Sequence, residues 1–417
     1  MNKDKLIPEL RFPEFKNEGE WDYLNGDKLF EPISNKNHNS DLPILAITQE
    51  QGAIPRGMIN YHVSVTDKSV ESYKVVEVGD FIISLRSFQG GIEYSYFLGV
   101  CSPAYIILRK KIDVVNDFYR FYFKSIPFIR DLNKNLEGIR DGKMVSYKQF
   151  SEISIPNPNP QEQQKIASCL SSLDEVIAAH SQKLDLLKDH KKGLMQNLFP
   201  QEGETVPKYR FKEFEKDGEW VEKKLGDLIE IKGRIGYRGY TLEDIVGKGE
   251  GAISMSPSNI NEFGTLSFTK STYITWAKYE ESPEIMLENG FTVLVKTGST
   301  YGKVALIKNL TEKTTINPQL VVLKPKKVNW YFLYLLVANE SIQKQINAKV
   351  VGGAIPTLSQ DSISNFEILV PKIKEQEKIA DCLSSLNDLI ISQTERIEQL
   401  KLHKKGLMQG LFPKIQD

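Results

Sequence analysis

Residues 162–200 and 375–413 align without a gap at an offset of 213, and 23 of the 39 positions are identical. A duplication this close commits the chain to two copies of one structural unit. The strongest blocks are Lys165-Ile166-Ala167, Cys169-Leu170-Ser171-Ser172-Leu173 and His190-Lys191-Lys192-Gly193-Leu194-Met195-Gln196. They return as Lys378-Ile379-Ala380, Cys382-Leu383-Ser384-Ser385-Leu386 and His403-Lys404-Lys405-Gly406-Leu407-Met408-Gln409. A shorter repeat opens each half: Arg11-Phe12, Glu14-Phe15 and Gly19-Glu20-Trp21 recur as Arg210-Phe211, Glu213-Phe214 and Gly218-Glu219-Trp220. The order is globular region, helix, globular region, helix.

Apolar residues in the repeated segments step by fours and threes, the spacing of a heptad seam. In the first copy the seam is Ile166, Leu170, Leu173, Ile177, Leu184, Leu187 and Leu194. In the second it is Ile379, Leu383, Leu386, Ile390, Ile397, Leu400 and Leu407. His180 or Gln393, and Lys191 or Lys404, interrupt it at equivalent places. Each helix is expected to run about 36 residues, or ~54 Å, longer than a globular domain usually buries, so the two are expected to pair with each other. The alternative is that each packs on its own globular region as a core helix. Pro158, Pro160 and Pro371 mark the helix starts, and Pro200 and Pro413 the ends.

In the globular regions, Val78 to Leu85 and Gly290 to Val295 are rich in branched and aromatic residues and pass through glycine, as strands leaving a turn do. Tyr105 to Leu108 and Leu320 to Leu323 read as matching second strands. An aromatic helical segment follows each, Asp117 to Phe123 and Asn329 to Leu335, whose rings are expected to form core on one face rather than a platform for stacked bases. The two regions share an order of elements but little sequence, the pattern of one fold carrying two recognition surfaces.

No catalytic constellation can be assembled. Gly298-Ser299-Thr300-Tyr301-Gly302-Lys303-Val304 has three residues between its glycines where a phosphate loop needs four, and valine where Ser or Thr should hold magnesium. Asn157-Pro158-Asn159-Pro160 is only a distant echo of a methyltransferase loop and reads as linker, and no Pro-Asp dipeptide opens a nuclease site. Cys101, Cys169 and Cys382 lack CxxC spacing and clustered histidines, so reduced thiols and no metal are expected. The longest apolar stretch, Tyr331 to Ala338, is far too short to span a bilayer, and no signal peptide opens the chain; a cytoplasmic location follows as an expectation. Charge balances at 54 basic and 54 acidic residues. It is unevenly spread: residues 296–327 hold seven lysines against one acid, Glu312, and 101–148 hold ten basic residues against five acidic. Such segregation predicts a basic face on a neutral body.

Two copies of Glu-Gln-x-Lys-Ile-Ala, a leucine heptad and His-Lys-Lys-Gly-Leu-Met-Gln, each after a variable globular region, resemble the DNA specificity subunit of type I restriction-modification systems. The likeness covers essentially the whole chain. It implies an α+β fold with two mixed α/β target recognition domains in tandem, 1–159 and 201–373, and two long conserved helices, 160–200 and 374–417, paired as an antiparallel coiled coil. It further implies that each domain reads one half of a bipartite, asymmetric target in double-stranded DNA. Two methyltransferase (modification) subunits would bind this one, joined in the complete enzyme by two restriction subunits. The methyl donor and ATP would belong to those partners, leaving this chain a non-catalytic subunit with no cofactor of its own.

Arg and Lys favour guanine edges, and Asn and Gln favour adenine. Among such groups on loops beside glycine, the DNA-binding candidates are Arg56, Arg86, Gln89, Arg140 and Lys143 in the first region. In the second they are Lys232, Arg234, Arg238, Lys296, Ser299, Tyr301 and Lys303. Two other classes stand against this reading: a self-sufficient methyltransferase or nuclease, opposed by the missing motifs, and a duplicated coiled-coil protein-protein scaffold without DNA readout, which the neutral charge permits.

Overall fold

The duplicated segments form helices Pro160–Asn197 and Ile373–Leu411, of 38 and 39 residues. In the computed structural model, which describes residues 7–38, 41–59, 70–134, 145–261, 264–349 and 357–413, the chain divides into two units. Unit 1 is Met1–Gln182 with Thr394–Asp417, and unit 2 is Lys183–Gln393. Each unit therefore owns part of both long helices.

Unit 1 holds β1 (Asp22–Asn25), β2 (Phe30–Ile33), β3 (Leu45–Thr48), β4 (Gly52–Pro55), β5 (Lys74–Val76), β6 (Phe81–Ile83), β7 (Glu93–Tyr94), β8 (Gly99–Cys101), β9 (Ile106–Lys110) and β10 (Ser154–Asn157). Its main sheet is antiparallel in the order β2-β9-β6-β7. Strand β6 starts later than its apolar run does, because Gly79 takes a positive φ of 98° and turns the chain first. The segment Asn116–Tyr122 is helical, and Phe118, Tyr119, Phe121, Tyr122 and Phe123 are all buried. The rings spread over one broad face of the helix, while Asn116, Asp117 and Arg120 make a partly exposed polar side, so they form core as the spacing implied. Phe30, Phe81, Phe123, Phe128 and Phe150 complete an aromatic core with edge-on ring contacts near 5–6 Å.

Unit 2 holds β11 (Val221–Lys224), β12 (Ile229–Gly233), β13 (Ile245–Val246), β14 (Gly251–Met255), β15 (Thr272–Thr275), β16 (Thr292–Val295), β17 (Val304–Leu306), β18 (Thr314–Ile316), β19 (Leu320–Pro325) and β20 (Glu367–Val370). The sheet β12-β19-β16-β17 repeats the order of the unit 1 sheet, again antiparallel. A second sheet, β13-β15-β14-β18, includes one parallel pair. Helix Trp330–Ala338 is the counterpart of the aromatic helix, and Tyr331, Phe332, Leu333, Leu335, Leu336 and Val337 are buried. In each unit a two-stranded sheet, β1 with β10 or β11 with β20, joins the start of the region to the strand before the long helix.

The helices enter these cores directly. Ile166, Ala167 and Leu170 pack in unit 1 together with Leu411 and Phe412 from the end of the other helix. In unit 2, Ile379, Ala380 and Leu383 pack with Leu198 and Phe199. Within each unit, then, the beginning of one helix meets the end of the other, an antiparallel pairing. The lysines that interrupt the seam are themselves cross-helix contacts: Lys404 donates to Asp174 in unit 1, and Lys191 donates to Asn387 at 2.7 Å in unit 2. Both pairs obey one register, since the two residue numbers add to 578 in each case. The core-helix alternative thus holds at the first turns of each helix, and helix pairing begins beyond them. Of the heptad residues, Ile166, Leu170, Ile379, Leu383, Leu386, Ile397 and Leu400 are buried, whereas Val176, Leu186, Leu389 and Leu402, off the seam, are exposed.

Candidate nucleic-acid interface

The two sequence repeats turn out to be one device, because they touch. Arg11 grips the Glu162 carboxylate bidentately at 2.8 and 2.7 Å, and its equivalent Arg210 grips Glu375 at 2.8 and 2.7 Å. The partner carboxylate holds each guanidinium above its ordinary pKa, against the opposing effect of burial. Lys165 reaches Glu14 at 3.0 Å, and Lys378 reaches Glu213 at 3.1 Å. Gln163 accepts from the Val115 amide and donates to the Pro158 carbonyl, as Gln376 does with Asn329 and Pro371. These contacts clamp each opening segment and each aromatic helix to the start of a long helix, which fixes the sheet against the helix pair.

That clamped sheet sets where the variable loops emerge. In unit 2 the ladder places Gly233 opposite Val321, Val295 opposite Leu320, and Leu294 opposite Val304. The end of β12, the start of β19 and the β16–β17 hairpin therefore share one end of the sheet. Lys232, Arg234, Arg238, Lys296, Ser299, Tyr301 and Lys303 lie on these segments or on the loop directly beyond β12. In unit 1, Ile33 pairs with Ile107, Ile83 with Ile106 and Ile82 with Glu93. The β6–β7 loop, with exposed Arg86 and Gln89, occupies the same topological place. Arg56 follows β4 instead, with its backbone tied to Ile44 and its Nη1 buried without a partner among the described residues. Arg140 and Lys143 lie outside the described residues.

The candidates differ in freedom. Arg234 is only 4% exposed and donates to the Ile316 and Arg238 carbonyls and to Thr315 Oγ1, so it fixes the loop after β12 from inside. Lys232 pairs with Glu230 at 3.0 Å, and Arg238 donates to the Glu281 carbonyl beside Glu284. The β16–β17 hairpin is closed by Val295 and Gly302 at 2.8 Å, with Gly298 and Gly302 at φ of 106° and 81°. This is a strand-to-strand turn and not the strand-to-helix turn of a phosphate loop. Tyr301 leans on Asn347 through its hydroxyl at 3.1 Å. Ser299 is exposed, and Lys303 makes no ion pair among the described residues. Lys296 is half-buried, and desolvation pushes its ammonium below its ordinary pKa.

The lysine-rich run does not make one face. Lys296 and Lys303 flank the hairpin, whereas Lys324, Lys326 and Lys327 follow along and beyond β19, toward its other end. A strand of six residues separates the groups by roughly 20 Å. Lys326 shares Glu230 with Lys232, and Lys308 pairs with Asp388. A linear count could not separate these groups because strand direction decides which end each residue reaches.

Sequence reasoning also missed the residues that hold the loops. In unit 1, Lys124 donates to Glu93 at 2.5 Å, to the Gly90 carbonyl at 3.0 Å and to the Gln49 carbonyl at 3.3 Å. Asn133 donates to the Phe88 carbonyl, and Gln49 to that of Arg86. Burial drives the Glu93 carboxyl up and the Lys124 ammonium down, and their mutual contact opposes both shifts. In unit 2 the Gln319 carbonyl accepts from Lys296, and Gln343 donates to the Gly302 carbonyl. Only a polar residue in an apolar run could have marked Lys124 in advance.

A duplicated framework that presents unlike polar loops at corresponding sheet ends defines a two-site recognition protein. The comparisons with known proteins agree on its class. The family profile described as type I restriction modification DNA specificity domain matches residues 21–189 and 217–402, and the chain belongs to that family. Among curated relatives, the type I restriction enzyme MjaVIII specificity subunit of Methanocaldococcus jannaschii is 24% identical over 368 residues, covering 85% of this chain and 82% of its own. The MjaIX specificity subunit of the same organism is 23% identical, covering 87% and 84%. The S subunit of a type I restriction-modification system from M. genitalium has the same fold, with a TM-score of 0.57 at 14% identity over 98% of this chain and all of its own. These findings favour a specificity subunit over a scaffold without DNA readout. Among the described residues no helix is long and apolar enough to cross a membrane.

Proposed function

We propose that this chain is the non-catalytic subunit that selects DNA sequence for a type I restriction-modification enzyme, each unit reading one half of a bipartite, asymmetric target. The observation that carries the reading is the contrast inside each unit. Framework contacts repeat within a tenth of an ångström, 2.8 and 2.7 Å for both arginine-carboxylate pairs. The loops they support do not repeat: one is a helical turn with Arg86 and Gln89, the other a glycine-framed hairpin with Lys296, Ser299, Tyr301 and Lys303. Folding alone gives no reason to keep a frame and vary what it presents. Two copies of one frame also suit a target of two half-sites, each read in the major groove. Target recognition is assigned to 1–159 and 201–373, and the spacer to the helices at 160–200 and 374–417.

Arg56, Arg86, Gln89, Lys296, Ser299, Tyr301 and Lys303 are the contacting candidates. Lys232 and Arg238 reach DNA only by exchanging their acidic partners for phosphate, and Arg234 acts by positioning. Arg140 and Lys143 retain their place from sequence.

Repeated residues that the fold does not use support a docking site for each of two modification subunits on the helix pair. His190, Lys192 and Gln196 are exposed, as are His403, Lys405 and Gln409. Between them Gly193 and Gly406 sit inside helices, and an added Cβ at either would meet nothing within 4 Å. A mid-helix glycine costs about 1 kcal/mol relative to alanine, so a partner surface approaching the helix backbone explains why both copies keep it. Two equivalent patches imply two copies of one partner, and the restriction subunits join the assembled methyltransferase. A cytoplasmic location suits an enzyme that works on DNA.

Methylation mapping of the complex with its modification subunits tests this reading. One bipartite asymmetric motif is expected, and exchange of residues 84–92 should alter only one half of it. Methylation without sequence preference would refute it. Gly193→Leu and Gly406→Leu should each remove one modification subunit from the complex while leaving the fold intact; unchanged stoichiometry would remove the patch.

A further inference from the structure

One juxtaposition at the sheet end of unit 2 was not visible in the sequence. Gly233, the last residue of β12, has the Gln360 side-chain amide and the Lys296 ammonium over its open face. A Cβ built on Gly233 would lie 3.0 Å from Gln360 Nε2 and 3.5 Å from Lys296 Nζ. Both side chains stand on fixed backbone. The Lys296 amide donates to the Gln319 carbonyl, and its carbonyl accepts from Leu358, both at 2.8 Å. Thr297 bridges to Thr357. Gln360 begins the helical turn Gln360–Ser364, which Ser359 caps and buried Ile363 anchors in the core. Two donors from segments some sixty residues apart are thereby held together where nothing larger than glycine stands beneath them.

We infer that Lys296 and Gln360 are a specificity-determining pair that holds a guanine edge of the second half-site, with Gly233 providing the clearance. This rests on the proposed reading of DNA and names residues within it. Guanine presents two neighbouring acceptors, N7 and O6, in the major groove, and the pair presents two neighbouring donors. Lys296 has no ion-pair partner among the described residues although it is half-buried, so its ammonium lacks the compensation that partial desolvation demands. An acceptor supplied by the ligand provides it. A phosphate needs no second donor held beside the cation. A half-buried ammonium fixed beside an amide suits base readout, where geometry decides between partners.

The test uses the full chain in complex with its modification subunits and a library of duplexes randomised across the target, at two salt concentrations. Lys296→Met and Gln360→Ala should each relax selection at a single G·C pair of the second half-site by about tenfold or more. The salt slope and the first half-site should stay unchanged. Gly233→Ala, whose strand conformation alanine adopts readily, should relax the same position by crowding the Gln360 amide, which its Cβ would meet at 3.0 Å. Three outcomes overturn the inference while leaving the broader reading intact: unaltered preferences in all variants, a uniform weakening with a salt slope lower by about one, which marks a phosphate contact, or relaxation at different positions in the three variants. A wild-type complex that selects no sequence overturns the broader reading itself.

Discussion

The Arg11–Glu162 pair offers a quantitative check on the clamp that seats the sheet of unit 1. Its side chains are 6% and 0% exposed, and the contact is bidentate at 2.8 and 2.7 Å. Removing one partner from such a buried pair leaves an uncompensated charge and costs about 3–5 kcal/mol. Arg11→Met and Glu162→Leu should each cost that amount. Replacing both at once takes two charges back out of the interior, an exchange for apolar residues that is often neutral or stabilising. The Gly19 carbonyl, which also accepts from Arg11 on the exposed side, can turn to water. The double variant should therefore lie within about 1–2 kcal/mol of wild type, giving a coupling of several kcal/mol. At about 2–4 °C per kcal/mol for a unit of this size, each single change lowers the unit 1 transition by roughly 6–20 °C. Calorimetry reads this directly, and unit 2, with its own Arg210–Glu375 pair, serves as an internal reference. Single effects that simply add in the double variant would falsify the claim that these residues act as a pair. In unit 2, Trp220 Nε1 also donates to Glu375 at 3.3 Å, so Arg210→Met should cost less than Arg11→Met.

The seam gives a second test. Among the described residues Lys191 has only neutral Asn387 for a partner, and burial lowers its pKa, so the native state binds fewer protons than the unfolded state between that lowered value and the ordinary one near 10.5. Stability of unit 2 should rise with pH across that alkaline window, and Lys191→Met should flatten the dependence relative to wild type in urea titrations. Asn387→Asp, which copies the Asp174–Lys404 pair, should stabilise unit 2 by ~0.5–1 kcal/mol at neutral pH; a destabilised variant would refute the assigned register. A chain ended after Pro200 leaves its apolar seam bare and should dimerise, with Lys191 facing Asp174 of the second copy at both ends; a monomer by light scattering would contradict this. Lys303→Ala should weaken DNA binding by roughly 1 kcal/mol and lower the salt slope by about one if it meets phosphate, and identical affinity at both salt concentrations would remove it from the interface.

The frame was legible because its signals are local or exactly repeated. The heptad, the bounding prolines and the strand pairs around Phe81 and Leu294 each follow from periodicity within a short window. What escaped was the joining of distant segments. Arg11 and Glu162 both stood inside recognised repeats, yet only the fold brings them together across 151 residues. Arg234 read as a basic loop residue beside glycine, but it is buried, with its guanidinium donating to the Ile316 carbonyl and Thr315 Oγ1 some eighty residues away. Gln360 carried no signal at all, being one polar residue among several after the segment 351–356. Gly193 and Gly406 were visible in the repeat, but an unfilled helix surface acquires meaning only once its surroundings are known to be empty.

The repeated residues are chiefly those that touch other repeated residues or face outward from the helix pair, and this explains how one frame can serve two half-sites. Leu10 donates its amide to the Gly410 carbonyl in unit 1, and Tyr209 to that of Asn197 in unit 2. Each core is closed by Leu411 and Phe412, or by Leu198 and Phe199, from the far end of a long helix. None of these contacts involves the loops at the sheet end. A loop can therefore change its chemistry at the cost of its local supports, Lys124 and Asn133 in one unit or Gln319 and Gln343 in the other, without loosening the clamp at Glu162 or Glu375. Substitutions that alter specificity should accordingly fall on loop and support together. Arg86 or Gln89 replaced alone should alter base preference in the first half-site with little change in stability. Lys124→Met, by freeing the Gln49 and Gly90 carbonyls and leaving Glu93 buried without its cation, should reduce stability and blur first half-site selection together.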